Sequence, residues 1–320
     1  MKGTPVASGA ASGYRFSRVL LIGASGQVGS ALAAVFPREA LVLAAHQHAR
    51  LGQVRIDLGD PVSLRRALED VQPDLIIVAG AMCNAEQCER DPDLCERVNT
   101  TGPATVAEYA RGAGAGVVFF STDHVFDGAR DRYAEGDPVN PLYVYARSKA
   151  LAETEIRERL PDRHLIIRTG WVYGPDAERR NFALRLVDRI TAGEVVMVPS
   201  DQWGSPTYTD DLARATRFLV ERDMVGTFHA TGQDFLDRGA LAVKICDEFE
   251  LDHRVVVTRP TRELGQIARR SLRVSLDCSK LHGAGVPAFR GLTEGLRALR
   301  GSCADGRVRE RSDGAVYGGR

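Results

Sequence analysis

Tyr145 and Lys149 stand four residues apart in Tyr145-Ala146-Arg147-Ser148-Lys149, in a chain with four lysines and eight tyrosines. On a helix this spacing puts the two side chains one turn apart on the same face. An ammonium beside a phenol favours the phenolate, drawing a pKa of about 10 toward the range of a working proton donor. An exposed tyrosine and a solvated lysine would be spelled the same way, so the pair needs company. Thr122 supplies it, in Ser121-Thr122-Asp123-His124-Val125-Phe126-Asp127-Gly128. It follows the apolar run Gly116 to Phe120, and a hydroxyl at the carboxyl end of such a strand is placed to hold a substrate carbonyl.

A third group is Gly23-Ala24-Ser25-Gly26-Gln27-Val28-Gly29. Glycines here let the backbone turn tightly and approach a pyrophosphate, whose charge then sits on a helix N-terminus. Gly23, Ser25, Gly26, Gln27, Val28 and Gly29 are therefore expected to bind a dinucleotide. The next strand ends in His46-Gln47-His48-Ala49-Arg50, with no carboxylate for the ribose 2′-hydroxyl of NAD. Arg50 could meet the 2′-phosphate of NADP instead, which points to NADPH and leaves NADH open. Asp57 is placed to approach the adenine, or to cap a helix beginning near Pro61. Leu58, Ala79, Gly80 and Ala81 complete the expected cofactor contacts.

These groups need a frame. From Arg18 onward short apolar strands (18–22, 40–45, 53–56, 74–79, 116–121, 164–169) alternate with helical stretches (26–36, 61–70, 92–112, 143–160). That alternation predicts an α/β fold, a doubly wound Rossmann-like parallel sheet covered on both faces. The expected organisation is a dinucleotide-binding domain over 18–170, with parts of 200–235 returning to it. A smaller C-terminal α/β substrate lobe is expected over 171–300.

Composition narrows the classes. The 42 basic residues balance 42 acidic ones, so no general basic field draws nucleic acid or an anionic membrane. Apolar runs such as Leu75-Ile76-Ile77-Val78-Ala79 have strand length, far short of a membrane span. The opening stretch lacks an apolar signal core and reads as a disordered leader through residue 17. Residues 301–320 read as a flexible tail. Cys83, Cys88, Cys95, Cys246, Cys278 and Cys303 match no zinc spacing and read as reduced thiols of a cytoplasmic protein.

Taken together, the chain resembles an extended short-chain dehydrogenase/reductase of the dTDP-4-dehydrorhamnose reductase family. Beyond the glycine loop the resemblance rests on STDHVFDG (121–128), NPLYVYARSKALAE (140–153), RTGWVYG (168–174), DQWGSPTYTDDLA (201–213) and SLDCSKL (275–281). It implies that Thr122, Tyr145 and Lys149 are catalytic, and that Asn99 helps organise the site. It also places Trp171 and Gln202 against a sugar nucleotide, with Asn84, His124, Val125 and Phe126 completing the substrate side. His124 stands where the family most often has tyrosine, and Ala81-Met82-Cys83-Asn84 replaces a more usual aromatic and threonine. Arg259, Arg262, Arg269, Arg270 and Arg273 are candidates for the substrate pyrophosphate. The first helix carries no carboxylate, so no metal site is expected.

The implied activity is NAD(P)H-dependent reduction of a 4-keto sugar nucleotide, dTDP-4-dehydrorhamnose or a related deoxysugar. Two rivals share the fold: a sugar-nucleotide 4-epimerase, and a regulatory subunit resembling that of methionine adenosyltransferase. A homodimer remains open.

Overall fold

The computed structural model describes residues 16–46, 49 and 51–305. The expected leader up to Arg15, the tail beyond 305, and Arg50 lie outside the described residues.

Strands β1 (Val19–Ile22), β2 (Leu41–Ala45), β3 (Val54–Arg55), β4 (Leu75–Val78), β5 (Gly116–Thr122) and β6 (His164–Thr169) join Gly226–His229 in a seven-stranded sheet. Its order is 226–229, β6, β5, β4, β1, β2, β3, and every neighbouring pair is parallel. Parallel strands require cover on both faces, and VLLI of β1 and LIIV of β4 are buried throughout. On one face α1 (Gln27–Val35) and helix Thr209–Glu221 enclose Leu21, Leu32, Val118 and Phe228. On the other, α2 (Pro61–Val71), α5 (Gly102–Ala113) and α6 (Val144–Arg159) enclose Ile22, Leu64, Val106, Phe119 and Ile156. A separate core gathers Tyr173, Leu184, Val198, Leu241 and Leu296.

Strand order reverses at β1, between β4 on one side and β2 on the other. In such sheets the crevice beyond the carboxyl ends at the reversal is where ligands bind. Local chemistry sets the helices that frame it. Asp60 caps α2 by accepting the Val62 and Ser63 N–H groups at 3.2 and 3.1 Å, with Pro61 in the first turn. Asp57 is thus not the cap; its carboxylate accepts the Gly59 N–H at 2.8 Å and lies 3.3 Å from His46 Nε2.

Three expectations change. The helix expected over 92–112 is present and unbroken, but it contains a wide π turn (Arg97–Thr101) between α4 (Pro92–Glu96) and α5. A short helix not foreseen, α3 (Ala85–Arg90), precedes them. The tail does not begin at 301, because helix Leu292–Ala304 runs on and fully buries Ser302. Among the described residues no helix is long and apolar enough to cross a membrane.

Candidate active site

The glycine loop leaves β1 at Gly23, whose φ of +90° lies in the left-handed region. Gly23 and Ala24 both donate to Ala44 O at 2.9 Å, and Ala79 and Gly80 both donate to Ile22 O. The ends of β1, β2 and β4 are thereby drawn together, with Gly80 so close that a Cβ on Gly23 would strike its backbone. At Gly26 a Cβ would meet only Gly23 O, at 3.4 Å, so space is open beside it. Gly26 is the N-cap of α1 and brings no side-chain cap, leaving the first-turn N–H groups to an outside acceptor. Gln27 Oε1 is buried without a partner, while its Nε2 donates to Val172 O at 3.2 Å. This cradle fits the pyrophosphate of a dinucleotide. Leu58 is packed beneath Gly102 as part of the core, and Ala79, Gly80 and Ala81 are half-buried along the crevice.

Helix α6 carries the next group. Tyr143, its N-cap, contributes no side-chain cap; Glu89 of α3 accepts the Val144 N–H at 2.8 Å instead. Tyr145, Lys149 and Glu153 follow at intervals of four and share a face. Lys149 is buried, its ammonium 3.9 Å from the centre of the Phe119 ring. No hydrogen bond or ion pair to it is found among the described residues. Burial pushes its pKa down to about 8, against the pull of Cys83, Glu153 and Cys95. Burial likewise drives the Tyr145 hydroxyl well above the ordinary phenol range, and nearby Cys83, Tyr143 and Asp123 add to it. Burial, the largest cause, thus moves the phenol in the direction opposite to the expected lowering.

Behind this pair Asn99, in the π turn, is a buried cross-link. Its Oδ1 accepts the Met82 N–H at 2.8 Å, and its Nδ2 reaches Met82 O at 3.0 Å and Ser148 Oγ at 3.2 Å. It pins the segment after β4 to α6, with Cys83 beside Tyr145 as a result. Wide turns of this kind recur at functional sites.

Thr122 ends β5. Its hydroxyl accepts the His124 N–H at 3.2 Å and donates to Asp123 Oδ1 at 3.0 Å, so it caps a short turn at the carboxyl end of the strand. Burial holds the His124 imidazole below its ordinary pKa; Asp123 opposes this, and Arg270 and Arg238 reinforce it. His124 Nδ1 is buried without a partner, and its ring packs edge-on against Tyr143 at 5.4 Å. Val125 and Phe126 are corrections. The same turn swings both inward, fully buried with Tyr133 and Leu276, so neither side chain can touch a substrate.

On the facing lobe Trp171 adopts φ +44°, a left-handed conformation costly for a bulky residue. A Cβ on Gly204 would lie 2.5 Å from the indole, so glycine permits that packing. Gln202 spends its amide hydrogens on Thr261 Oγ1 at 3.1 Å and Gln266 Oε1 at 3.0 Å, which anchors the 261–266 loop. Asn84 caps α3 through the Glu86 and Gln87 N–H groups. Of the arginines named from sequence, Arg270 reaches the crevice, paired with Glu86 at 3.1 Å, while Arg262 is exposed. Arg238 was missed. It opens helix Arg238–Glu248 and lies 3.5 Å over Trp171. No motif surrounds it; only the lone arginine after Leu236-Asp237 could have drawn attention.

A doubly wound sheet, a glycine loop at its reversal and a Tyr-x-x-x-Lys helix beside a strand-end threonine define a short-chain dehydrogenase/reductase. Comparison with known proteins makes this narrower. The family described as the RmlD substrate binding domain matches residues 17–300. The dTDP-4-dehydrorhamnose reductase of Streptomyces griseus is 33% identical over 303 residues, 91% of this chain and 96% of that protein. A crystal structure of dTDP-4-dehydrorhamnose reductase from Bacillus anthracis str. Ames in complex with NADP aligns with a TM-score of 0.81 at 27% identity. It covers 90% of this chain and 99% of that one. Methionine adenosyltransferase 2 subunit beta of Danio rerio is 29% identical over 281 residues, 85% of this chain and 86% of that protein. The chain belongs to the RmlD, or dTDP-4-dehydrorhamnose reductase, family of extended short-chain dehydrogenases/reductases.

Proposed function

We propose that this protein reduces a 4-keto sugar nucleotide with NADPH, with dTDP-4-dehydrorhamnose the first substrate to consider. The observation that carries this reading is the line of Tyr145 and the unpartnered, buried Lys149 on α6, set against Thr122 and the open glycine loop. The likeness to reductases of this name, one of them solved with NADP, supports substrate and cofactor alike. The dinucleotide would be held by the Gly23–Gly29 loop, by Asp57 and the Ala79–Ala81 run, and by Lys149 at its ribose. The sugar nucleotide would lie against the smaller lobe, residues 171–300, facing Trp171.

The cofactor, when bound, supplies the hydride. Tyr145, kept protonated by its raised pKa, donates the phenolic proton to the keto oxygen as that oxygen becomes an alcohol. Thr122 turns its hydroxyl from Asp123 to the same oxygen and stabilises the charge that builds there. His124, held neutral, adds no charge beside it. Asn99 keeps the β4 segment and α6 in register so that these groups converge. Six free thiols suit a reducing, cytoplasmic setting.

The test is NADPH oxidation with dTDP-4-dehydrorhamnose. Tyr145→Phe should lower turnover roughly 100-fold or more and leave NADPH affinity unchanged. Wild-type turnover in that variant overturns the proton-donor role. The likeness to the methionine adenosyltransferase subunit supports a second reading, a nucleotide-binding partner without turnover. Tight NADPH binding with no 4-keto sugar nucleotide reduced would select it.

A further inference from the structure

We infer that Arg238, stacked on Trp171 and supported by Arg270, is the clamp for the diphosphate of the sugar nucleotide; this rests on the reading above. The Arg238 backbone is fixed, its N–H donating to Gln202 O at 2.9 Å. Its guanidinium lies 3.5 Å from the centre of the Trp171 ring and 4.5 Å from that of Phe182. Stacking occupies the faces of a planar guanidinium and leaves its rim of five N–H donors free. None of those donors meets a protein acceptor among the described residues. The carboxylate next to it in sequence, Asp237, is engaged by the Ala240 N–H at 2.9 Å.

Three other arginines of low exposure are treated differently. Arg168 is paired with Glu153, Arg179 with Asp188 and Arg290 with Asp211. Arg270 has Glu86, yet its Nε is buried without a partner. The Arg238 and Arg270 guanidinium groups share the crevice with His124, whose ring feels both charges. Burial first, and the Arg270 charge second, bring the Arg238 pKa down to about 9, with Asp123 opposing. A cation without an ion-pair partner among the described residues, set beside the Glu86-paired Arg270, is an unfavourable arrangement until an anion arrives.

The anion follows from chemistry. A 4-keto deoxysugar nucleotide carries formal charge only on its two phosphates. With the keto carbon at Tyr145, the phosphates must leave toward the facing lobe. Guanidinium forks bind phosphate through paired, charge-assisted hydrogen bonds. The cofactor's phosphates are the other source of this chemistry, but the glycine loop on α1 already provides for them.

The experiment titrates dTDP into protein saturated with NADP, followed by calorimetry, for wild type, Arg238→Gln and Arg238→Lys. Arg238→Gln should weaken dTDP roughly 10- to 100-fold, with NADP affinity unchanged. Arg238→Lys, which keeps the charge and loses the fork, should fall between and controls for folding. Thymidine, lacking phosphates, should bind all three alike. In turnover the loss should appear in KM for the sugar nucleotide, with kcat within about threefold of wild type. dTDP affinity within about twofold of wild type in Arg238→Gln, or a loss of NADP affinity in its place, overturns the inference. Arg238-dependent dTDP binding in a protein that reduces no keto sugar leaves the clamp standing and removes the reductase reading. Reduction that is indifferent to Arg238 does the reverse.

Discussion

Arg168 and Arg238 both lie over aromatic rings, Arg168 5.0 Å from the centre of Phe126 and Arg238 3.5 Å from that of Trp171. Around Arg168 every demand is met. Glu153 receives it through Oε1 at 2.9 Å and Oε2 at 2.7 Å, and His229 Nε2 stands 3.3 Å away. Burial alone would raise the Glu153 carboxyl; the Arg168 fork outweighs it and holds the group below its usual range. His229 Nδ1 faces Asp277 O at 3.2 Å, which fixes the neutral tautomer with Nε2 as acceptor. Around Arg238 and Lys149 nothing is closed in this way. The lower half of α6 and its strand partner are a finished structure, whereas the upper half and the facing wall hold charges in reserve. Among the described residues, the other buried side-chain atoms left without a partner, such as Ser121 Oγ, Thr169 Oγ1 and Thr209 Oγ1, are uncharged hydroxyls or site groups.

The comparison can be broken first at the closed end. Glu153→Ala strands a buried guanidinium and should cost about 3–5 kcal/mol, read as a lower midpoint in urea. Replacing both partners with apolar residues, Glu153→Leu with Arg168→Met, should return much of that loss. If the single variant unfolds at the wild-type midpoint, the closed end is not what holds this region.

His229 sharpens the contrast through acid. Its folded pKa is pushed down to about 4 from 6.5, by burial first and by Arg168 second. Below pH 6.5 the unfolded chain takes up a proton that the folded chain refuses. Stability should therefore fall as pH drops from about 6.5 to about 4, by roughly 1.4 kcal/mol per unit at most. His229→Gln should flatten that part of the curve, measured against wild type by denaturation at each pH.

The smallest effect runs the other way. Lys149→Met removes a buried ammonium and should raise stability by about 0.5–2 kcal/mol while damaging NADPH binding. The gain should be greatest below about pH 8 and shrink toward 10.5, as the wild-type lysine sheds its proton in the fold. A destabilised Lys149→Met variant would place this lysine with the closed end instead.

Much of this site could be read in one dimension because its parts are local. The glycine loop, the strand-end threonine and the Tyr-Lys pair each sit within a few residues of the element that aims them. The doubly wound sheet followed from apolar runs of strand length alternating with helical stretches. What failed to appear is what distant segments decide. Val125 and Phe126 look like members of a site motif until a turn capped by Thr122 directs them into the core. Arg168 lies inside HLIIRT, and nothing near it announces Glu153 on the preceding helix. Arg238 owes its place to Trp171 and Phe182, more than fifty residues upstream in the chain. The π turn inside the helix over 92–112 left no mark in the sequence, since its residues are also helical.

That turn, Arg97–Thr101, matters for lesions of a kind that no substitution mimics. It accommodates one residue more than an ordinary helical turn, which shifts the phase of everything beyond it by about 100°. In that phase Asn99 reaches Met82 and Ser148. Loss of a single codon in this stretch would leave composition, charge and the surrounding fold almost untouched. It would still rotate the asparagine off the two segments it joins, an error of timing within the helix and not of chemistry.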